Sequence, residues 1–564
     1  MNYKTLRTLL TCLLTLFICQ AHALNPTEAD KRRCFMDDPE GRTITFLYCM
    51  DEGYWTGTVN TAYVRGSFNN WKDAEITKLS FDEESNCWYC TVSYDYVNVP
   101  GNSGQPEYKF VINGSYKSAP SWLTDGYVFM TSDQNMIVVF STDDFEQIKA
   151  NSAIAGYIRP LADFNLDDPV DQAAISNFRC VPGTKQLFRS YHPYKSSRGD
   201  NKGVDTEYWR LYYVDKLATD HGIVSDICLS DNDENTLTTY TTNGQTYMET
   251  IPEYYQKIID NQHVLYVNAN NKVPSYSYVY TKPTSKYFGD WVKQIVEFII
   301  DDNTPAPFQI HCRLGTDRTG VFCAVLAALC GAQWDAITAD YQATNNMQIR
   351  EFRDWHLLAY TFRQLLNVYD VSTVENLKEA LSNYFITNGY LTQEQIDKMN
   401  EKLNSKVYKN ITVKAYSPDG VPTIWWWGGG DKCPSASKTY EWAMRPEMNP
   451  LEGYDGWYYW TFADVDNSKG ISYILTSPGT GSKSEDLHTY NDECRDQYYN
   501  ITADPSTTGI SLASANSTTL ADIYSLNGQL IRRSIDYSSV SQQLPGGIYV
   551  VKVGNRCTKV AIAR

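Results

Sequence analysis

The chain has 564 residues, 42% of them hydrophobic and 20% charged, and carries a formal charge of −17 at pH 7. At roughly 150 residues per domain, this length predicts three or four domains, and the apolar share excludes wholesale disorder. The acidity argues against a nucleic-acid binder, because phosphate backbones require stripes of Lys and Arg.

Lys4 and Arg7 form a short basic stretch, and Leu9 to Cys19 is an apolar run too short to span a bilayer. Ala21-His22-Ala23 fits a small-residue cleavage site. Residues 1–23 are therefore expected to be a cleaved signal peptide, and the protein to be secreted or held at the cell surface. No later apolar run approaches a membrane span. Export permits disulfides. Cys433 and Cys494 flank one aromatic segment and form a candidate pair. Cys87 and Cys90 lack a companion His or a second CxxC, so no metal site is predicted there.

Residues 35–145 alternate apolar and polar side chains between Gly/Asn/Asp turns, which predicts short antiparallel strands. Residues 150–406 show longer helical periodicities with intervening strands. Residues 407–500 return to strands rich in Trp and Tyr. Residues 505–564 follow a linker-like run around Asp504-Pro505-Ser506 and form a small β segment. The expected fold class is multidomain. A central α/β domain, its sheet flanked by helices, lies between N- and C-terminal antiparallel β-sandwich modules.

The sharpest motif is Phe308-Gln309-Ile310-His311-Cys312-Arg313-Leu314-Gly315-Thr316-Asp317-Arg318-Thr319-Gly320. It reads as a buried strand, a short loop and a buried helix. Such a turn directs backbone N–H groups at one spot and adds the partial positive charge of a helix N-terminus, which suits a phosphate dianion. The same field favours a thiolate at Cys312. Arg318 offers a planar fork for phosphate oxygens, Gly315 allows close backbone approach, and Thr319 can donate to the sulfur. The phosphate loop thus comprises Arg313, Leu314, Gly315, Thr316, Asp317 and Arg318. His311 is assigned an orienting role.

These residues resemble the His-Cys-five residues-Arg-Thr signature of cysteine-dependent phosphatases. Within that superfamily the segment is most similar to the bacterial tyrosine-phosphatase branch whose loop reads HCxxGKDRTG. Further likenesses are Asn177-Phe178-Arg179 followed by Leu187-Phe188-Arg189-Ser190, the strand Ile223 to Cys228, and Ile337 to Tyr341. Together they cover roughly residues 160–400. Two positions depart from the branch: the loop lysine is Thr316, and the arginine of its "DLR" segment is Cys228. The first change weakens the case for polyanionic and inositol-phosphate substrates, although Arg313 adds charge at the loop rim. The resemblance assigns the general acid to Asp317. Asp226 is the alternative, and Asp231 or Asp233 would be a movable-loop version. It implies double displacement through a cysteinyl-phosphate, with no metal or organic cofactor.

Val64 to Trp71, Trp88 and Tyr108 to Gly114 look like the glycogen-binding module of AMP-activated kinase β subunits and branching enzymes, an immunoglobulin-like β-sandwich. That likeness maps glucan contacts onto Trp71, Lys109, Tyr116 and Asn135. Ile424 to Gly428 and Gly456 to Phe462 are similar to small bacterial starch-binding modules, which points to Trp425, Trp427 and Trp457. The tail, with Ile523 to Leu530, Leu544 to Lys552 and terminal Arg564, looks like a type IX secretion sorting domain. The expected activity is phosphomonoester hydrolysis, on phosphotyrosine, a small phosphomonoester or a phosphorylated glucan, with α-glucan as a further partner. The alternatives are a non-catalytic surface glucan-binding protein with a degenerate phosphatase fold, and an inositol-phosphate phosphatase.

Overall fold

The computed structural model describes residues 24–123, 125–196, 207–232, 237, 239–242, 245–268, 271–506, 520–525, 530–536, 547–553 and 556–562. The expected signal peptide, Asp233, Arg564 and part of the sorting-like tail lie outside the described residues.

The N-terminal region holds two antiparallel sheets. One orders the strands 35–38, 43–49, 87–93 and 80–82; the other orders 62–66, 107–112, 135–137 and 128–129, with 115–116 beside 107–112. Period-two alternation sends Ile44 and Phe46 inward from the first sheet and Ala62 and Val64 inward from the second. The two sets share one core, with the Phe46 and Tyr108 rings 4.7 Å apart and Tyr48 and Phe110 5.3 Å apart. Cys49 and Cys87 sit directly opposite each other in register and form a disulfide. Cys87 therefore pairs across the sheet, while Cys90 is buried and free.

The central sheet has five strands: β1 (Arg179–Cys180), β2 (Leu187–Ser190), β3 (Ser225–Cys228), β4 (Val264–Tyr266) and β5 (Phe308–His311). Their spatial order is β1-β2-β5-β3-β4, antiparallel at the first junction and parallel at the other three. Helices α1 (Glu207–Asp220) and α2 (Glu253–Asp260) pack on one face. Helices α3 (Tyr278–Thr281), α4 (Lys286–Ile300), α5 (Asp317–Leu329), α6 (Trp334–Ala343) and α7 (Trp355–Leu366) build the other. In β5, Phe308 and Ile310 face the α4–α5 side, whereas the Gln309 side chain accepts from Tyr254 of α2 at 3.0 Å. Helix α5 is buried all round from Thr319 to Leu329, which explains its unbroken apolar sequence. The loop between β5 and α5 lies beyond the carboxyl ends of the parallel strands, where open α/β sheets bind ligands.

The third region contains one sheet ordering 449–450, 457–466, 408–416 and 493–495, and another ordering 423–427, 471–476 and 487–489. It departs from the expected all-antiparallel pairing, because Val413–Ala415 runs parallel to Glu493–Arg495. Cys433 and Cys494 are both free, so the candidate bridge between them is not formed. The tail strands 520–525, 530–536, 547–553 and 556–562 make a four-stranded antiparallel sheet. Among the described residues, no helix is long and apolar enough to cross a membrane.

The Cys49–Cys87 bond spans 38 residues, so in the chain-entropy view it stabilises the N-terminal module by at most about 4 kcal/mol. Cys87→Ala is expected to lower the denaturation midpoint of this module, and reductant to produce the same shift in the unaltered protein but none in the variant. Denaturant titration followed by tryptophan fluorescence checks this.

Candidate active site

Strand β5 ends at His311, and the chain then turns through Cys312–Thr316 before α5 begins at Asp317. Gly315 adopts φ +72°, and a Cβ there would lie 2.2 Å from the Ser190 carbonyl oxygen. Only glycine meets both demands. The carbonyls of the turn are tied outward. Asn177 Nδ2 donates to Leu314 O at 3.2 Å and to Gly315 O at 3.1 Å, and a guanidinium nitrogen of Arg189 donates to Gly315 O at 2.6 Å. Asp340 fixes Arg189 at 2.5 Å and Arg179 at 2.6 Å. With its carbonyls drawn away, the turn keeps its amides unspent. Among the described residues, no amide from Arg313 to Arg318 donates within the protein. Such a nest of N–H groups at a helix N-terminus is an anion site.

Cys312 is 3% exposed and free of any disulfide. Burial works against its ionisation, but the Arg318 guanidinium and the hydroxyl and amide of Thr319 outweigh that and hold its pKa below the usual thiol value. The buried Thr319 hydroxyl makes no hydrogen bond within the protein and is left for the sulfur or a ligand. Arg318 is braced by the carbonyls of Leu229 at 3.2 Å and Pro274 at 3.3 Å, both reached from one terminal nitrogen. Its Nε is buried and unpartnered. The fork therefore keeps a donor for an incoming oxygen. Leu314 packs partly buried against Tyr191, Val214, Met347 and Ile349.

The candidate acids occupy three different environments. Asp317 is buried, and burial alone would raise its pKa. Arg353 donates to it through Nε at 2.5 Å and a terminal nitrogen at 3.1 Å, with Thr316 at 3.0 Å and Tyr280 at 3.1 Å. These partners hold the carboxyl below its ordinary range. Asp226 is fully buried and accepts from Tyr255 at 2.9 Å, with His311 Nε2 at 3.0 Å. It is the partner of the histidine beneath the loop, and its second oxygen is buried without a hydrogen-bond partner. Asp231 lies 2.8 Å from His192 Nε2 and 2.8 Å from Arg313. Burial is again outweighed, here by His192, Arg313 and Lys195, and the carboxyl stays well below the usual range. Arg313 is thus half neutralised by Asp231 and adds less positive charge to the rim than its sequence position suggests.

His311 Nδ1 lies 3.1 Å from the carbonyl of Cys312. Burial disfavours a charged ring, yet Asp226 and that carbonyl outweigh it and raise the His311 pKa. His192 is different: burial dominates and pushes its pKa well down, and its Nδ1 accepts the amides of Tyr194 and Lys195. Cys228, His192 and His311 cluster closely enough to suggest a metal site. All four ring nitrogens already have partners in the protein, so this trio does not fit a metal ion.

The sugar-contact candidates are divided by the fold. Tyr116 is 47% exposed, lies under the Arg65 guanidinium at 5.3 Å, and its hydroxyl reaches the Trp71 carbonyl at 3.4 Å, so Trp71 and Tyr116 are neighbours. Lys109 donates to the carbonyl of Asp133. Asn135 does not join them; it is buried, and its amide donates to the buried Glu107 at 2.9 Å. In the third region Trp426 enters the core, while Trp425 and Trp427 take the opposite face and remain half-buried. Trp457 packs against Tyr416 at 5.5 Å.

Arg353 and Tyr280 belong to the site and carried no sequence signal. Asn177, Arg189 and Asp340 did carry one, inside segments already noted, but their shared target, the loop carbonyls, becomes visible only in three dimensions.

Residues 213–407 match the family model described as the tyrosine phosphatase family. That span includes β3, β5, the loop and the helices behind it, and supports a phosphatase domain in this part of the chain. No curated protein matches the chain.

The thiols of Cys34, Cys90, Cys228, Cys323, Cys330 and Cys494 are each pushed up to about 12 by burial. Burial also raises the pKa of Cys433 and of the exposed Cys180, so among the described free thiols Cys312 is expected to alkylate with iodoacetamide at the lowest pH, with Cys180 as the exposed competitor at higher pH. Arg318→Ala removes the cation that favours the thiolate and is expected to move the alkylation midpoint of Cys312 up. Alkylation rate against pH, read by peptide mass, checks both.

Proposed function

We propose that the central domain is a cysteine-dependent phosphatase that hydrolyses phosphomonoesters in two displacements. The observation that carries this reading is a turn, opened by the buried Cys312 at the end of the central strand, whose amides from Arg313 to Arg318 and whose Arg318 Nε are left without partners among the described residues, with the thiol pKa held below its usual value by Arg318 and Thr319. In the first step the sulfur attacks phosphorus in line, an S–P bond forms and the P–O bond to the leaving group breaks. The amides and Arg318 hold the equatorial oxygens as charge develops. In the second step water attacks phosphorus, the S–P bond breaks and the thiolate leaves, stabilised by the Thr319 hydroxyl.

Asp317 is the proton donor in this account. It is the candidate within the loop itself, at the first residue of α5 and next to Arg318, and the arrival of a phosphate dianion beside it raises its affinity for a proton. In the second step the resulting carboxylate takes a proton from the attacking water. The Arg313–Asp231 pair and Thr316 favour singly phosphorylated substrates over polyanions, and phosphotyrosine or another small phosphomonoester suits the site best. A phosphorylated glucan is the second reading, favoured by the Trp71–Tyr116 surface on the N-terminal module. An extracellular or surface location is consistent with the Cys49–Cys87 disulfide.

Cys312→Ser is expected to reduce turnover of an aryl phosphate by at least about 10⁴-fold. Asp317→Asn is expected to cost about 10²-fold or more on an alkyl phosphate but under about tenfold on p-nitrophenyl phosphate, whose leaving group needs little protonation. Phosphate release from phosphotyrosine peptide and phosphorylated starch, measured with the same variants, separates the two substrate readings. Retained turnover in Cys312→Ser would refute the mechanism.

A further inference from the structure

The N-terminal module reaches the phosphate loop through three consecutive residues. Phe352 is 3% exposed and belongs to the module's core, its ring 6.3 Å from Phe129. Arg353, next in the chain, grips the Asp317 carboxylate with two donors. Asp354 closes the seam: its amide donates to the Asn102 carbonyl at 2.9 Å, and its Oδ2 accepts from Asn151 at 3.3 Å. The approach is tight, for a Cβ on Gly104 would lie 2.4 Å from Asp354 Cγ.

An electrostatic link runs parallel to this strap. Glu107 of the module is buried, where it accepts from the Ser103 amide at 2.8 Å and from Asn135 at 2.9 Å. Burial raises its pKa, and the charge of Arg353 acts against that rise. The guanidinium itself is shared between Asp317 and Glu351, whose carboxylate lies 3.1 Å from its terminal nitrogen.

We infer that the N-terminal module is a positioning element of the active site: by seating Phe352 on one side of Arg353 and bonding Asp354 on the other, it sets where Arg353 holds Asp317. Arg353 is a positioning residue, acting through Asp317. The catalytic consequence rests on the phosphatase reading; the mechanical coupling does not. Asn345 also holds the Arg353 backbone, accepting from its amide at 2.8 Å and donating to its carbonyl at 2.9 Å, so a displaced module loosens the clamp on Asp317 and a docked one completes it. The role of Asn135 follows as well, since its amide supports Glu107 in the interior.

The test uses full-length protein with Gly104→Ala, which wedges the seam from the module side, and Arg353→Gln, which removes the clamp. Two readouts are taken: amide hydrogen exchange of residues 320–325, the bonded amides where the loop enters α5, and the ratio of alkyl- to aryl-phosphate turnover. Each variant is expected to speed exchange there and to lower the ratio at least about tenfold, as loss of a positioned acid does. Arg353→Lys is expected to recover part of the ratio. The double variant is expected to match the worse single one, because both act through one strap. Wild-type exchange together with a wild-type ratio in Gly104→Ala would overturn the inference, as would fully additive effects in the double variant. If Gly104→Ala does not fold, Phe129→Leu, which trims the contact with Phe352, is read by the same criteria. If wild-type protein releases phosphate from neither substrate, the phosphatase reading fails, and exchange alone decides the coupling.

Discussion

One buried sulfur organises this domain. Removing Cys312 from water opposes its negative charge, so the surrounding residues must supply what water would have given. Arg318 supplies a full charge, Thr319 a hydroxyl and an amide, and the first turn of α5 its partial charge. The neighbours serve that arrangement. Asn177 and Arg189 draw the loop carbonyls outward, so that the opposite edge of each peptide is left for an anion. Gly315 permits a backbone path that any side chain would block. The continuous apolar surface of α5 buries the helix deeply enough to fix its N-terminus against the sheet.

The charged groups around the loop divide into shells of opposite demand. Close to the sulfur lies one cation, Arg318. Further out, each carboxylate is matched: Asp317 with Arg353, Asp231 with His192 and Arg313, Asp226 with His311, and Asp340 with Arg179 and Arg189. Buried charges without partners cost several kcal/mol, so this pairing is what permits so many ionisable groups at one end of a sheet. It also means that the chain's acidity does not reach the phosphate site as a net repulsion.

Much of this was legible in the sequence because the loop is local. Cys312, Gly315, Arg318 and Thr319 lie within eight residues, and their spacing alone specifies a strand, a turn and a helix start. The tying residues Asn177, Arg189 and Asp340 stood out as recurring segments without a stated role. Arg353 gave no signal, since its meaning depends on a contact across 36 residues and on where Phe352 docks. The disulfide was equally hidden: strand register, set by inward and outward alternation, brings Cys49 opposite Cys87, two residues 38 positions apart in the chain. Asn135 shows the complementary limit. A residue matched to a sugar contact by its neighbours turned inward, because a buried carboxyl needed a donor.

The most direct measurement of the central claim is to mix the protein with an aryl phosphate, quench in acid within milliseconds, and map the phosphoryl group by peptide mass. The account predicts phosphate on the sulfur of residue 312, in greater amount when Thr319 is replaced by alanine, because the thiolate then departs more slowly. Product release with an unmodified sulfur, or phosphate found on another side chain, would contradict it.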